Sequence, residues 1–468
     1  MSERNSVEGK ASRKTFRIRL DEMANILREE ILSGKRAVGE FLPSELDLTK
    51  QFHLSNKSVR KALDILVEEG LIEKIPKVGN RVASSTQDKK TVVRFGYHPS
   101  TNEETGLAAM ISEFHEKYPH IRVQPVEIPA TNFRNSVKEY VDADLLDVFT
   151  INQGSFREFI ENSNVNLLEP CQPNPGVYPF LSQAFTHEGE LLVQPFSFSP
   201  VILCYNKEHF AERGLSEPYS GWTWDDLLEH AGKLAVENER FGFYFHLLSN
   251  NRWPLFPLQS GMSFERNGQG NYEVYGSRLA DSLEMCRKII YMPDVFPTML
   301  SASNADAEEL FLNGKVSMIM TTYFGLNELK GATFDYDIAP LPYLYEARTL
   351  LVVIGLAVSR KSKVKEAARQ LVNFLQSHSS QSMMRQNTLS IPADKNAVEW
   401  RGEESLYRPS RYNMFREIVP TYRLLNDLSL DSKQLGIVLR EAKLYWSKLQ
   451  NIQVTCRNIE EALNEEQA

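Results

Sequence analysis

Four stretches of this sequence carry residue types that could do chemistry. GWTWDDLLEH (221–230) sets two tryptophans one residue apart beside two carboxylates, the parts of a sugar-stacking platform. HEKYPH offers His115, Glu116 and His120 as zinc ligands, and NGQGN (267–271) suggests a phosphate loop. NKSVRK (56–61) is a basic run able to meet a nucleic-acid backbone. Geometry removes most of these. The histidines are five apart rather than four, and Pro119 interrupts any helix that would align them. NGQGN lacks the third glycine and the strand–turn–helix setting of a nucleotide loop, and neither a P-loop nor G-x-S-x-G occurs. Asp225 with Asp226, and Glu308 with Glu309, are sequence neighbours, so on a helix each pair diverges by about 100° and cannot flank one substrate. Cys171, Cys204, Cys286 and Cys456 lie far apart, without a Cys-x-x-Cys pair. No catalytic set, metal site or cofactor is expected. The tryptophan stretch reads instead as a helix start: Thr223 at the N-cap, Asp226 at N3, and Trp222 placed to pack on Leu227.

Composition bounds what remains. The 468 residues are 42% apolar and 24% charged, an ordinary globular mixture long enough for two or three domains. The net charge of −8 is uneven: residues 1–90 hold 18 Lys/Arg against 14 Asp/Glu, and the rest hold 35 against 47. A basic head on an acidic body assigns nucleic acid to the head alone. The opening MSERNSVEGKASRKTF has no apolar core, so no secretory signal is read there. The longest apolar run, LLVVIGLAV (350–358), has nine residues, too few to cross a bilayer. A cytoplasmic protein without membrane contact is expected.

The head has the order of a DNA reader. In LPSELDLTKQFHLSNKSVRKALDILVEEGLIEKIPKVGNRVA (42–83), Ser44 and Asp47 space a capping box, and HLS makes a turn. Ser55 caps a second helix whose apolar stripe is Val59, Ala62, Leu63, Leu66 and Val67, ended by Gly70. Its other face carries Lys57, Ser58, Arg60 and Lys61, as a recognition helix requires. Two short strands follow, around a turn with Lys77, Gly79 and Asn80, the expected wing. LPSE…S-x-x-SVRKALDILVEEGLIEK resembles the winged helix-turn-helix of the GntR family over roughly residues 15–83. That resemblance implies contacts to double-stranded DNA from Ser44, Lys57, Ser58, Arg60, Lys61, Lys77, Gly79 and Asn80. Departures occur at Leu46 and Asn56, where the family usually has Arg, and at Lys77-Val78-Gly79, where it has Gly-x-Gly. They leave the operator sequence open.

After SSTQDKK (84–90), taken as a linker, strands and helices alternate: TVVRFGY, GLAAMISEFHEKY, IRVQPVEI, LLDVFTI and a helix around SFREFIENS. This predicts an α/β body with a mainly parallel sheet. DVFTINQGSFREFIENSNVNLLEP, EGELLVQPFSFSPVILCYNKEHFAERGL with WTWDDL, AEELFLNGKVSMIMTTYFG, and APLPYLYEARTLLVVIGLAVSRKSKVKEAARQLVNFL resemble, in order, the type 1 extracellular solute-binding proteins of ABC importers, over about residues 92–460. The resemblance implies a two-lobed periplasmic-binding-protein-like (type II) domain over 91–468. Lobe one is expected at about 91–198 and 348–390, and lobe two at about 199–347 and 391–468, with ligand in the cleft between.

Ligands of α/β sheets sit beyond the C-terminal strand ends, which nominates Tyr97, His98, Gln153, Ser155, Phe196, Ser197 and Phe198. The resemblance adds Trp253, Gln259 and Tyr323, the last where the family usually stacks a tryptophan, and Gly355 would let backbone approach the ligand. Each aromatic has a competing role in the core. Aromatic faces with a few amides and hydroxyls suit a sugar. Together the parts read as a non-enzymatic, ligand-responsive transcriptional regulator, a homodimer on a palindromic operator sensing a small molecule, expected to be a sugar or oligosaccharide. Two rivals are weighed: a GntR-type protein with an aminotransferase-like body binding pyridoxal phosphate, whose lysine-centred motif is not recognisable here, and a transport solute-binding protein.

Overall fold

The computed structural model describes residues 13–32, 35–76, 78–83, 90–129, 133–297, 303–402 and 406–466. Its contacts divide the chain into two compact units, one of residues 1–92 with 114–123 and one of residues 93–113 with 124–468.

In the first unit, helices Arg13–Leu32, Glu45–Phe52 and Asn56–Glu68 precede a hairpin of strands Ile72–Ile75 and Gly79–Val82. The sequence caps are in place: Ser44 accepts from the Asp47 amide, and Ser55 from the Ser58 amide. These satisfy helix-end donors that would otherwise be orphaned. Val59, Ala62, Leu63 and Leu66 bury the expected stripe against Met23, Leu27, Leu48, Ile72 and Val82. That single core fixes the angle between the recognition helix and the hairpin. Gly79 has φ 144°, a left-handed backbone that suits glycine at the strand start.

The chain from Thr91 onward is built on one ten-stranded sheet. Its main path runs Ile121–Glu127, Thr91–Tyr97, Val148–Asn152, Thr349–Val358, Gln194–Asn206, Val316–Thr322, Phe241–Tyr244. Two members cross from one half of the body to the other. Gln194–Asn206 is buried along its whole length. It pairs with Thr349–Val358 through Gln194–Pro200, and with Val316–Thr322 and Tyr336–Ala339 through Val201–Asn206. Such a strand is buried on both faces, and its second half runs PVILCY (200–205) without alternation.

The expected mainly parallel sheet is corrected here. Parallel pairs join Thr91–Tyr97 to Val148–Asn152 and Phe241–Tyr244 to Val316–Thr322, but every pairing made by Gln194–Asn206 is antiparallel. The physical reason is the double crossing, since the two crossover strands run in opposite directions side by side.

Helices cover the sheet with single apolar faces. Lys365–Leu375 buries Ala367, Ala368, Leu371, Val372, Phe374 and Leu375. Thr223 and Asp226 form the full capping box that opens helix Trp224–Leu234, and Trp222 and Leu227 are both buried beside it. Residues 391–392 pair with Ser197–Phe198, and the helix Lys395–Val398 packs on His378–Asn387. This segment therefore keeps company with elements expected in lobe one. Helices Ser432–Trp446 and Ile452–Glu465 pack on each other and on Leu279–Ile290. Among the described residues, no helix is long and apolar enough to cross a membrane.

Gly355 sits at a register shift between the two crossover strands. A Cβ there would lie 2.8 Å from the Gln194 carbonyl oxygen and 2.9 Å from Phe185 Cε2. Gly355→Ala is expected to destabilise the body by about 1–3 kcal/mol through overpacking, measured as a lower urea midpoint at unchanged m-value.

Candidate functional site

The recognition helix presents Asn56, Lys57, Arg60, Lys61 and Asp64 as one exposed face, at the three- and four-residue spacing of a helix. Arg60 reaches across to the preceding helix, where its Nε donates to Glu45 Oε2 at 2.7 Å. Of the expected DNA contacts, Ser44, Lys57, Arg60, Lys61 and Gly79 are exposed. Ser58 is buried, its hydroxyl 2.6 Å from that of Ser55, so it holds the helix start rather than facing outward. Asn80 is also buried, and its carbonyl accepts from the Leu42 amide. Lys77 lies outside the described residues.

Within the body, two adjoining chambers open beside the second crossover strand. One, of about 380 Å³, is walled by the helix start Asn152–Ser155, by Ser249–Asn251 with Trp253, and by Leu435, Gly436 and Leu439 of helix Ser432–Trp446. The other, of about 400 Å³, is walled by His98, Glu104, Phe133 and Thr150 on one side and by Arg252, Asn304, Glu308 and Glu328 on the other. Asn152, Asn251 and Val352 line both, so they form one cleft. Volumes of this order accommodate small organic ligands.

Each wall is positioned by identifiable bonds. Asn152 ends its strand and caps the next helix, accepting from the Ser155 amide at 2.8 Å. Gln153 donates to the Leu351 carbonyl and accepts from the Val353 amide, both at 3.0 Å, tying that helix to the crossover strand. Opposite, Arg252 is buried and donates to the Met320 carbonyl and to Asn251 Oδ1. Burial lowers its pKa to about 10, against the raising influence of Glu308. Burial likewise raises the pKa of Glu308, which accepts from the Thr321 hydroxyl. Glu104 is pushed up to about 7, first by burial and further by the charge of Glu328, while a Ser100 hydrogen bond pulls it down. His98 is held below its ordinary range by burial and contacts Ser100 at 2.8 Å. The walls of the cleft offer hydrogen bonds, an aromatic residue and carboxylates.

Of the nominated ligand residues, the structure brings His98, Gln153, Ser155 and Trp253 to the cleft. Trp253 is 1% exposed, and its indole N–H is buried without an acceptor among the described residues. The others do not line it. Tyr97 precedes the cleft on its strand, where its carbonyl accepts from the Ile128 amide. Phe196, Ser197 and Phe198 are buried in the first crossover, with Phe198 edge-on to Tyr178 and Phe415. Gln259 is consumed internally: it accepts from Trp224 Nε1 at 2.7 Å and donates to the Pro342 and Arg348 carbonyls. Tyr323 is fully buried and donates to the Tyr412 carbonyl at 2.9 Å. The space before Gly355 is filled by Val193, Gln194 and Phe185. Tyr97 and Tyr323 stand at strand ends as expected, whereas Phe196–Phe198 and Gly355 lie inside strands and Gln259 lies in a helix.

Sequence reasoning missed Asn152, Asn251, Glu104, Glu308, Glu328 and Gly436. SNNRW (249–253) held a legible signal, an amide run leading to Trp253. Gly436, inside a helix with nothing within 4 Å of its missing Cβ, had none.

A model of the family described as bacterial extracellular solute-binding protein matches residues 98–382, and one of bacterial regulatory proteins, gntR family, matches residues 20–82. Among curated relatives, the sn-glycerol-3-phosphate-binding periplasmic protein UgpB of Escherichia coli strain K12 is 25% identical over 248 residues, 50% of this chain and 55% of that protein. Its counterpart in Shigella dysenteriae serotype 1 is 25% identical over 244 residues, with the same coverage. The chain thus spans about half the length of the curated relatives it matches. Maltose-bound MalE3 of T. maritima superposes with a TM-score of 0.69 at 19% identity, covering 80% of this chain and 99% of that one. An ABC substrate-binding protein from Listeria monocytogenes in complex with cycloalternan gives 0.67 at 20% identity, covering 81% and 99%. At these identities the likeness establishes the fold.

Two outcomes follow from the walls. Gly436→Ala is expected to stabilise the helix Ser432–Trp446 by about 0.5–1 kcal/mol, seen as a raised urea midpoint, because the added methyl meets open space. A raised folded-state pKa at Glu104 means that the folded chain binds more protons than the unfolded one between about pH 4.5 and 7. Its stabilising contribution is full below that window and lost as pH rises through it, so Glu104→Gln is expected to flatten the fall in urea midpoint between pH 5 and 8.

Proposed function

From a chain that belongs to the bacterial extracellular solute-binding protein family and carries a gntR-family head, we infer a DNA-binding transcriptional regulator whose body senses a small molecule, a sugar or oligosaccharide, by closing its cleft. Neither matched domain is of an enzyme family. The observation that carries the reading is the pair of chambers walled from both sides of the crossover strands by amides, hydroxyls and Trp253. A ligand contacting both walls favours the closed state by its differential affinity, and that difference caps what can be passed to the head. In this reading the protein is cytoplasmic and acts as a homodimer on a two-fold operator, so that a change in either body alters the spacing of paired recognition helices.

The names of the structural neighbours suggest neutral saccharides, whereas those of the curated relatives suggest a phosphorylated polyol. Screening both classes for thermal stabilisation, then repeating operator gel shifts with the hits, tests the sensor reading. At least one solute is expected both to raise Tm and to change operator affinity, and a solute that raises Tm while leaving DNA binding untouched would contradict regulation. Arg60→Ala is expected to weaken operator binding by about 1–3 kcal/mol while leaving solute stabilisation intact.

A further inference from the structure

The charged groups of the cleft discriminate among ligand classes. Four carboxylates line the two chambers (Glu104, Glu158, Glu308 and Glu328) against two guanidiniums, Arg157 and Arg252. Arg252 is bonded to backbone and Asn251 beside Glu308. Arg157 donates Nε to Glu161 at 2.6 Å, while its two terminal nitrogens are buried without a partner among the described residues. Among the described residues no lysine lines either chamber. Lys330 feels Glu103 and Glu328, with Arg408 near it, but stands outside the lining. At the helix start lining the cleft, the Asn152 carboxamide occupies the Ser155 amide.

Glu104 follows the strand Thr91–Tyr97 on one side of the cleft, and Glu328 follows Val316–Thr322 on the other. They line the same chamber, and the charge of Glu328 acts on the Glu104 carboxyl. A dianionic phosphate would add to that repulsion, while a cation would relieve it. In the adjoining chamber the buried Trp253 N–H lacks an acceptor among the described residues, and a ligand hydroxyl would supply one.

We propose that the cleft selects an amine-bearing sugar, its ammonium held by Glu104 and Glu328 from opposite walls and a hydroxyl taken by Trp253, and that it rejects phosphorylated sugars. The inference rests on the reading that the cleft holds a saccharide. It also makes ligand charge an agent of closure, because the bridging cation bonds a carboxylate from each lobe.

Titration calorimetry on the full chain tests it with matched probes: glucose, glucosamine and glucose 6-phosphate, then maltose and the glucosamine disaccharide. The amino members are expected to bind at least tenfold tighter than their neutral partners, and the phosphate at least tenfold weaker. In Glu104→Gln the amino-to-neutral ratio is expected to fall towards one. Glu328→Gln repeats this test at an exposed position where folding is not at stake. Equal affinity for amino and neutral sugars, or preference for the phosphate, overturns this inference and leaves the saccharide reading standing. No binding by any member overturns both.

Discussion

The body of this protein depends on two strands that run antiparallel through it, Gln194–Asn206 and Thr349–Val358. Together they carry one sheet across both halves, and the cleft opens against the second of them at Val352 and Ile354. The first is buried along its length, so each backbone group must be paired by a neighbour and each side chain must fit a dry environment. Gln153 bonds to the second strand on both sides of Val352, so the helix walling one chamber follows whatever that strand does. Any closing motion must be taken up where these strands pass between the halves, because packed interiors shift between discrete arrangements rather than deform freely.

This constraint explains what the sequence could and could not reveal. The head was legible because its signals are local: Ser44 and Ser55 cap their own helices, and the stripe Val59 to Leu66 needs only helical periodicity. The capping box at Thr223–Asp226 was legible for the same reason. The fold of the body came through ordered motifs, but its sheet direction did not, since strand pairing is a long-range fact. The site was legible only in part. Counting strand ends found His98, Gln153 and Ser155. It also proposed Phe196 and Phe198, and the family resemblance added Tyr323; all three side chains are buried in the core. An aromatic beside a strand end looks the same in sequence whether it faces ligand or core. Glu104 and Glu328 come from segments more than 200 residues apart, and nothing local marks their shared chamber.

The division of charge follows the division of labour. The head exposes Lys57, Arg60 and Lys61 on one helix face, the steering and docking charge that a DNA backbone rewards. The cleft does the opposite, presenting four carboxylates against two buried guanidiniums. In the proposed reading, a body of this family attached to a gntR-family head turns a transport-type binding event into a regulatory one, with the free energy of closure passed between them.

Amide hydrogen exchange on the full chain, with and without a saccharide that raises its Tm, tests the central claim most directly. The account predicts slowed exchange on both walls at once, in residues 98–104 and 150–158 and in residues 249–253 and 304–328, together with the crossover segment 350–355. Protection confined to one wall, or located away from the cleft, would contradict it.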